Sequence, residues 1–170
     1  IPFSLFCVYS KDVMVFGFKT HTPNFKISDM LKRQLYLITN DKKYKDTPFP
    51  NILNCEILTP KKEMEKYLKE SQFTIEGKGI IEKDPSNFRI YIRGWDPLKD
   101  FKTVYNFIDK KTNLVSNQDI IEVDESDSSG TCIKLEVSRN RNRIAFYEKM
   151  ESAVEEAVKF KMAYNLYTYN

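Results

Sequence analysis

FRIYIRGW, residues 88–95, alternates without a break: Phe88, Ile90 and Ile92 are apolar, whereas Arg89, Tyr91 and Arg93 are polar or amphipathic. Successive side chains of a strand point to opposite faces, so this period of two predicts a β-strand with one oily face and one basic, aromatic face. What lies beside that strand decides the fold. On its N-terminal side stands the polar, proline-containing EKDPSN (82–87), close to the midpoint of the 170-residue chain. On its C-terminal side come Asp96-Pro97 and then Leu98, Phe101, Val104, Tyr105 and Ile108, whose spacings of three and four predict a helix.

Working outward, QDIIEVDE (118–125) and TCIKLEV (131–137) read as strands across the acidic turn SDSSG. From about Arg139 to 162 a long amphipathic helix is expected, with Phe146, Met150, Ala153, Ala157 and Phe160 on one side and Glu148, Glu151, Glu155 and Glu156 opposite. The final AYNLYTYN reads as a last strand or a fraying end. In the first half, VMVFGF (13–18) and NILNCEIL (51–58) read as strands and 26–38 as a helix capped at Ser28. NDKKYKDTPFP (40–50) reads as a loop, and Thr59-Pro60 starts a second helix, a capping residue followed by a proline whose missing N–H costs nothing there. FTIEGKGIIEK (73–83) reads as two short strand pieces around Gly77 and Gly79.

The order of elements, strand–helix–(strand)–strand–helix–strand and then strand–helix–strand–strand–helix, with no clear candidate for the second strand of the first half, follows the ferredoxin-like plan repeated. IYIRGW (90–95) resembles the opening strand of the RNA-recognition-motif (RRM) family, with Gly94 and Trp95 where that family has Asn and Leu. VMVFGF resembles it more loosely, and MEKYLKESQFTIEGKGIIEK (64–83) resembles the family's second helix and fourth strand. The resemblance implies an α+β fold of two tandem βαββαβ units with antiparallel sheets and two helices on one face. It also implies domains at 1–83 and 88–170, joined by a linker at 84–87. It further implies single-stranded RNA as partner, with Tyr91 stacking on a base, Phe16 serving in the first unit, and Arg89, Arg93 and Lys134 meeting phosphates. The third strands, ILNCEIL and TCIKLEV, lack the family's two exposed rings, and Glu136 would repel a phosphate. A protein partner is therefore the companion expectation, through the C-terminal helix or the sheet face, within a ribonucleoprotein or chromatin-associated assembly.

A pleckstrin-homology-like domain binding acidic phospholipid or a protein is the alternative, with TVYNFID (103–109) as a strand rather than a helix. Composition narrows the rest. An apolar fraction of 41% supports a core, and a net charge of +3 is compatible with nucleic acid or acidic lipid. Cys7, Cys55 and Cys132 are odd in number and far apart, which predicts buried thiols in an intracellular setting, nuclear or cytoplasmic, with neither disulfides nor a zinc cage. No apolar run reaches the length of a membrane span. His21 has no second histidine or nearby cysteine, and Asp124, Glu125 and Asp127 sit in a turn of solvated character. A non-catalytic binding module without metal or cofactor is the expectation.

Overall fold

In the computed structural model the described residues are 12–15, 18–21, 24–45, 48–67, 72–128, 130–138 and 142–165. The chain is an α+β protein, with four α-helices and antiparallel sheets among the described residues. It divides into two compact units: Ile1–Ile52, Thr59–Ile75 and Met162–Asn170 form one, and Leu53–Leu58 with Glu76–Lys161 form the other. The division falls within two strands, β4 (Gln72–Gly79) and β9 (Lys159–Asn165), which with β3 (Cys55–Ile57) make a three-stranded sheet in the order β3-β4-β9.

The second unit is built around a four-stranded antiparallel sheet in the order β5-β6-β8-β7, from β5 (Ile81–Asp84), β6 (Arg89–Ile92), β7 (Ile120–Asp124) and β8 (Ile133–Val137). β6 and β8 keep the strict alternation that FRIYIRGW and TCIKLEV announce. Ile90, Ile92, Ile133, Leu135 and Val137 are buried, and Arg89, Tyr91, Lys134 and Glu136 between them are not. The buried set packs with Val104 and Ile108 of one helix, Phe101–Thr112, and with Tyr147, Met150, Ala153 and Val154 of another, Arg143–Ala157. Counting Ile27–Thr39 as α1 and Lys61–Tyr67 as α2, these two helices are α3 and α4. Both lie on one face of the sheet, and among the described residues the core cluster leaves the other face open.

Several boundaries differ from the sequence reading, each for a local reason. Residues 84–87, read as a linker between 1–83 and 88–170, are the end of β5 and the start of the 85–88 turn of the β5–β6 hairpin, in which Ile81–Asp84 pair with Arg89–Ile92. Asp84 holds that turn by accepting hydrogen bonds from the Ser86 hydroxyl (2.6 Å) and from the Asn87 backbone and side-chain N–H groups (3.2 and 2.8 Å). A short polar stretch with proline suits a hairpin turn as well as a linker, and only the matching strands on both sides tell them apart. α3 begins at Asp100, whose carboxylate accepts from Thr103 N–H and Oγ1, rather than at Asp96. Asp96 is instead buried, accepting from Leu98 N–H and pairing with Lys99. Residues 103–109 are helical, where the pleckstrin-like alternative needs a strand. α4 ends at Ala157 rather than 162, because Phe160, Met162 and Tyr164 are buried at a period of two and belong to β9. The buried face of α4 runs through Tyr147 and Val154, leaving Phe146 and Ala157 only partly covered.

In the first unit β1 (Asp12–Val15) and β2 (Phe18–His21) form a hairpin where one strand was expected over 13–18. α1 starts one residue before the expected cap, and its N-cap residue, Lys26, makes no side-chain cap bond. The expectation that Phe16 serves as a stacking ring lies outside the described residues.

Candidate nucleic-acid interface

The open face of the four-stranded sheet collects most of the residues singled out from sequence. Register places Tyr91 opposite Lys134 on β8 and opposite Glu82 on β5, with Arg89 opposite Glu136. Arg93 follows directly after β6, and its backbone N–H donates to Ile80 C=O at 2.9 Å. Arg89, Tyr91, Arg93 and Lys134 are therefore brought together, and all four are half-buried.

Their electrostatics differ from those of a phosphate-binding platform. Arg89 Nε donates to Glu136 at 2.8 Å, which raises the guanidinium's affinity for its proton, and a hydrogen bond with Tyr91 acts in the same direction. Arg93 donates through Nε and an Nη to the two oxygens of Glu82, at 3.2 and 3.3 Å. Lys134 is paired with Glu125, and that hydrogen bond likewise raises its pKa. A fourth cation, Arg143, stacks over the Phe88 ring at 4.5 Å and approaches Glu136 at 3.6 Å. A phosphate arriving here would have to displace carboxylates. Half-exposed pairs of this kind contribute little to stability, yet they cancel the face's field at short range. Sequence reasoning found the cations and missed their partners. Glu136 lies 47 residues from Arg89, and the pairing follows from register alone.

Charge is distributed unevenly between the units. The first carries 12 Lys and Arg against 7 Asp and Glu, a net +5, and the second 15 against 17, a net −2. In the first unit Lys26, Lys32, Lys42, Lys45 and Lys62 are exposed, and among the described residues none has an ion-pair partner. Arg33 lies over Tyr36 and Lys61 over Phe49, at 5.0 and 5.7 Å from the ring centres. Helix α1 sets Lys32 and Arg33 on its flank, and the 3-10 turn Lys42–Tyr44 follows its left-handed cap, Asn40.

Other candidates do not assemble. Cys55 is half-buried, donates to Trp95 C=O, and is pushed up to about 11 by burial and by the Asp96 charge, the opposite of a reactive thiolate. Among the described residues no group of His, Cys, Asp and Glu is arranged to hold a metal. No described helix is long and apolar enough to cross a membrane.

No protein-family model matches the chain, and no curated protein does. Among solved structures, the DNA-binding, cleavage and re-ligation domain of Plasmodium falciparum topoisomerase II is similar in fold. The TM-score is 0.54 with 18% identity, over 92% of this chain and 20% of that one. The chain thus spans about a fifth of the length of that structure.

Proposed function

We propose that this chain is a non-catalytic segment of a larger DNA-handling protein of the type II topoisomerase kind, and that it contacts the DNA backbone through the first unit. The observation that carries the proposal is the fold similarity over 92% of the chain to part of a domain that binds, cleaves and re-ligates DNA. The segregation of charge supports it, since a net +5 unit with unpaired lysines suits phosphate neutralisation. In this reading the second unit is a rearranged ferredoxin-like module. Its strand order β5-β6-β8-β7 is that of the ferredoxin-like sheet, with β5 in the place of the fourth strand.

Single-stranded RNA on the open face is the second reading, favoured by one observation: half-exposed Tyr91 sits among Arg89, Arg93 and Lys134. Fluorescence anisotropy with a labelled DNA duplex and a labelled single-stranded RNA, each at two salt concentrations, separates the two. Lys42→Glu combined with Lys45→Glu is expected to weaken duplex binding and flatten its salt dependence by one to two units, about 0.9 per lost phosphate contact. Tyr91→Ala and Arg93→Ala are expected to leave duplex binding unchanged. If Tyr91→Ala weakens RNA binding by about 1–3 kcal/mol while the lysine variant has no effect on either ligand, the RNA reading replaces the DNA one.

A further inference from the structure

Among the described residues, strand β7 stands at one end of the four-stranded sheet with β8 on one side only. Ser138 N–H donates to Asp119 C=O and Glu125 N–H to Cys132 C=O, so the odd-numbered residues of this ladder direct their backbone groups toward β8. By the alternation of an antiparallel pair, the N–H and C=O groups of Glu122 and Asp124 point outward. Among the described residues, no backbone hydrogen bond outside the sheet ladders reaches them.

The side chains of β7 are inverted relative to a covered strand. Ile121 and Val123 share the open face with Glu136 and Lys134, and are 50% and 38% exposed. Glu122 and Asp124 fall on the helix-bearing side with Leu135 and Ile133, where burial and the Asp124 charge raise the Glu122 pKa. An edge of this kind has free backbone groups, an aliphatic pair on one face and carboxylates on the other.

A second copy is a poor occupant. Antiparallel pairing centred on Glu122 sets that carboxylate against itself, and centring on Val123 sets Glu122 against Asp124; like charges directly opposite one another are destabilising. An oppositely charged strand meets neither obstacle. We propose that β7 is a docking edge for an extended segment of a partner protein in which Lys or Arg alternates with β-branched residues. The segment adds as a fifth strand, its cations facing Glu122 and Asp124 and its aliphatic side chains covering Ile121 and Val123.

The test uses a capped seven-residue peptide, Lys-Val-Lys-Ile-Lys-Val-Lys, titrated into the 15N-labelled full chain, with Glu in place of Lys as control. The expected result is shifts centred on 121–125 with the lysine peptide only, weakening with added salt. Glu122→Pro removes one outward N–H and leaves the β8 ladder intact, because proline is tolerated on the solvent side of an edge strand. This variant is expected to lower the affinity at least about tenfold while the far-UV circular dichroism stays unchanged. Should Glu122→Pro unfold the sheet, Glu122→Lys with Asp124→Lys provides the same reading and is expected to reverse the preference between the two peptides. Binding that spares 121–125, equal binding of both peptides, or no binding at millimolar peptide overturns the proposal. So does concentration-dependent self-association, in the absence of peptide, that Glu122→Pro abolishes, which would make a second copy the occupant.

Discussion

A methyl group added at Gly79 would lie 1.8 Å from the Gly94 carbonyl oxygen, and one added at Gly94 would lie 2.2 Å from the Asn54 carbonyl oxygen. Three backbone segments cross here with no room for a side chain between them. Asn54, at φ 55°, ties the crossing together, its side-chain N–H donating to Arg93 C=O and its own C=O accepting from Ile80 N–H. Gly79→Ala and Gly94→Ala are each expected to destabilise by about 3 kcal/mol or more, because the obstructing atoms are backbone and can yield only if a strand moves. Gly77→Ala meets the Phe160 ring at 2.3 Å, and a side chain can swing aside, so its cost should be clearly smaller. Urea unfolding of the three variants checks the ranking. At this scale the sequence was half legible. Alternation placed Arg89, Tyr91 and Arg93 together on the open face, but nothing in FRIYIRGW names Glu82 or Glu136 as their partners. Gly94, read as a departure from a family pattern, is a steric requirement of this crossing.

Helix α4 shows how far periodicity reaches among the elements. Its helical nature and apolar side follow from spacing, and Met150 and Ala153 of the expected stripe are buried, yet Tyr147 and Val154 complete the buried face in place of Phe146 and Ala157. Tyr147 is drawn inward by Phe88, whose ring meets it edge-on at 6.0 Å, a contact set by the β5–β6 turn. Met150→Ala is expected to cost about 2–5 kcal/mol, since the side chain is fully buried. Glu148→Ala on the exposed face should change stability by less than about 0.5 kcal/mol, and thermal melts of both variants measure the contrast. β6, β8 and α3 were legible because their periods are unbroken, whereas the stretch 73–83, read as two short pieces around Gly77 and Gly79, holds β4 running through both glycines and then β5, which belongs to the other sheet. β9 was not, because its alternation of Phe160, Met162 and Tyr164 runs straight on from a helix whose apolar spacing includes Phe160. The hairpin turn at 85–88 was not either, since composition alone describes a turn and a linker in the same way.

Across the whole molecule, the α+β class was readable from the order of periods, whereas the partition was not. The second unit takes its core from residues 90–158 and its fourth sheet position from β5, which precedes β6 in the chain. A fragment spanning 53–161 should therefore keep that core. Slow amide exchange at Ile90, Ile92, Leu135 and Val137, as in the full chain, is the expected outcome, and exchange at the rate of an unfolded peptide would contradict it. The first unit is assembled otherwise, from Ile1–Ile52, Thr59–Ile75 and Met162–Asn170. During synthesis the second unit has all its residues once Lys161 has left the ribosome, while the first still waits for the stretch that follows. The earlier part of the chain would thus be the later to mature, and the basic surface of the first unit would be completed only after the acidic edge at β7 is already in place.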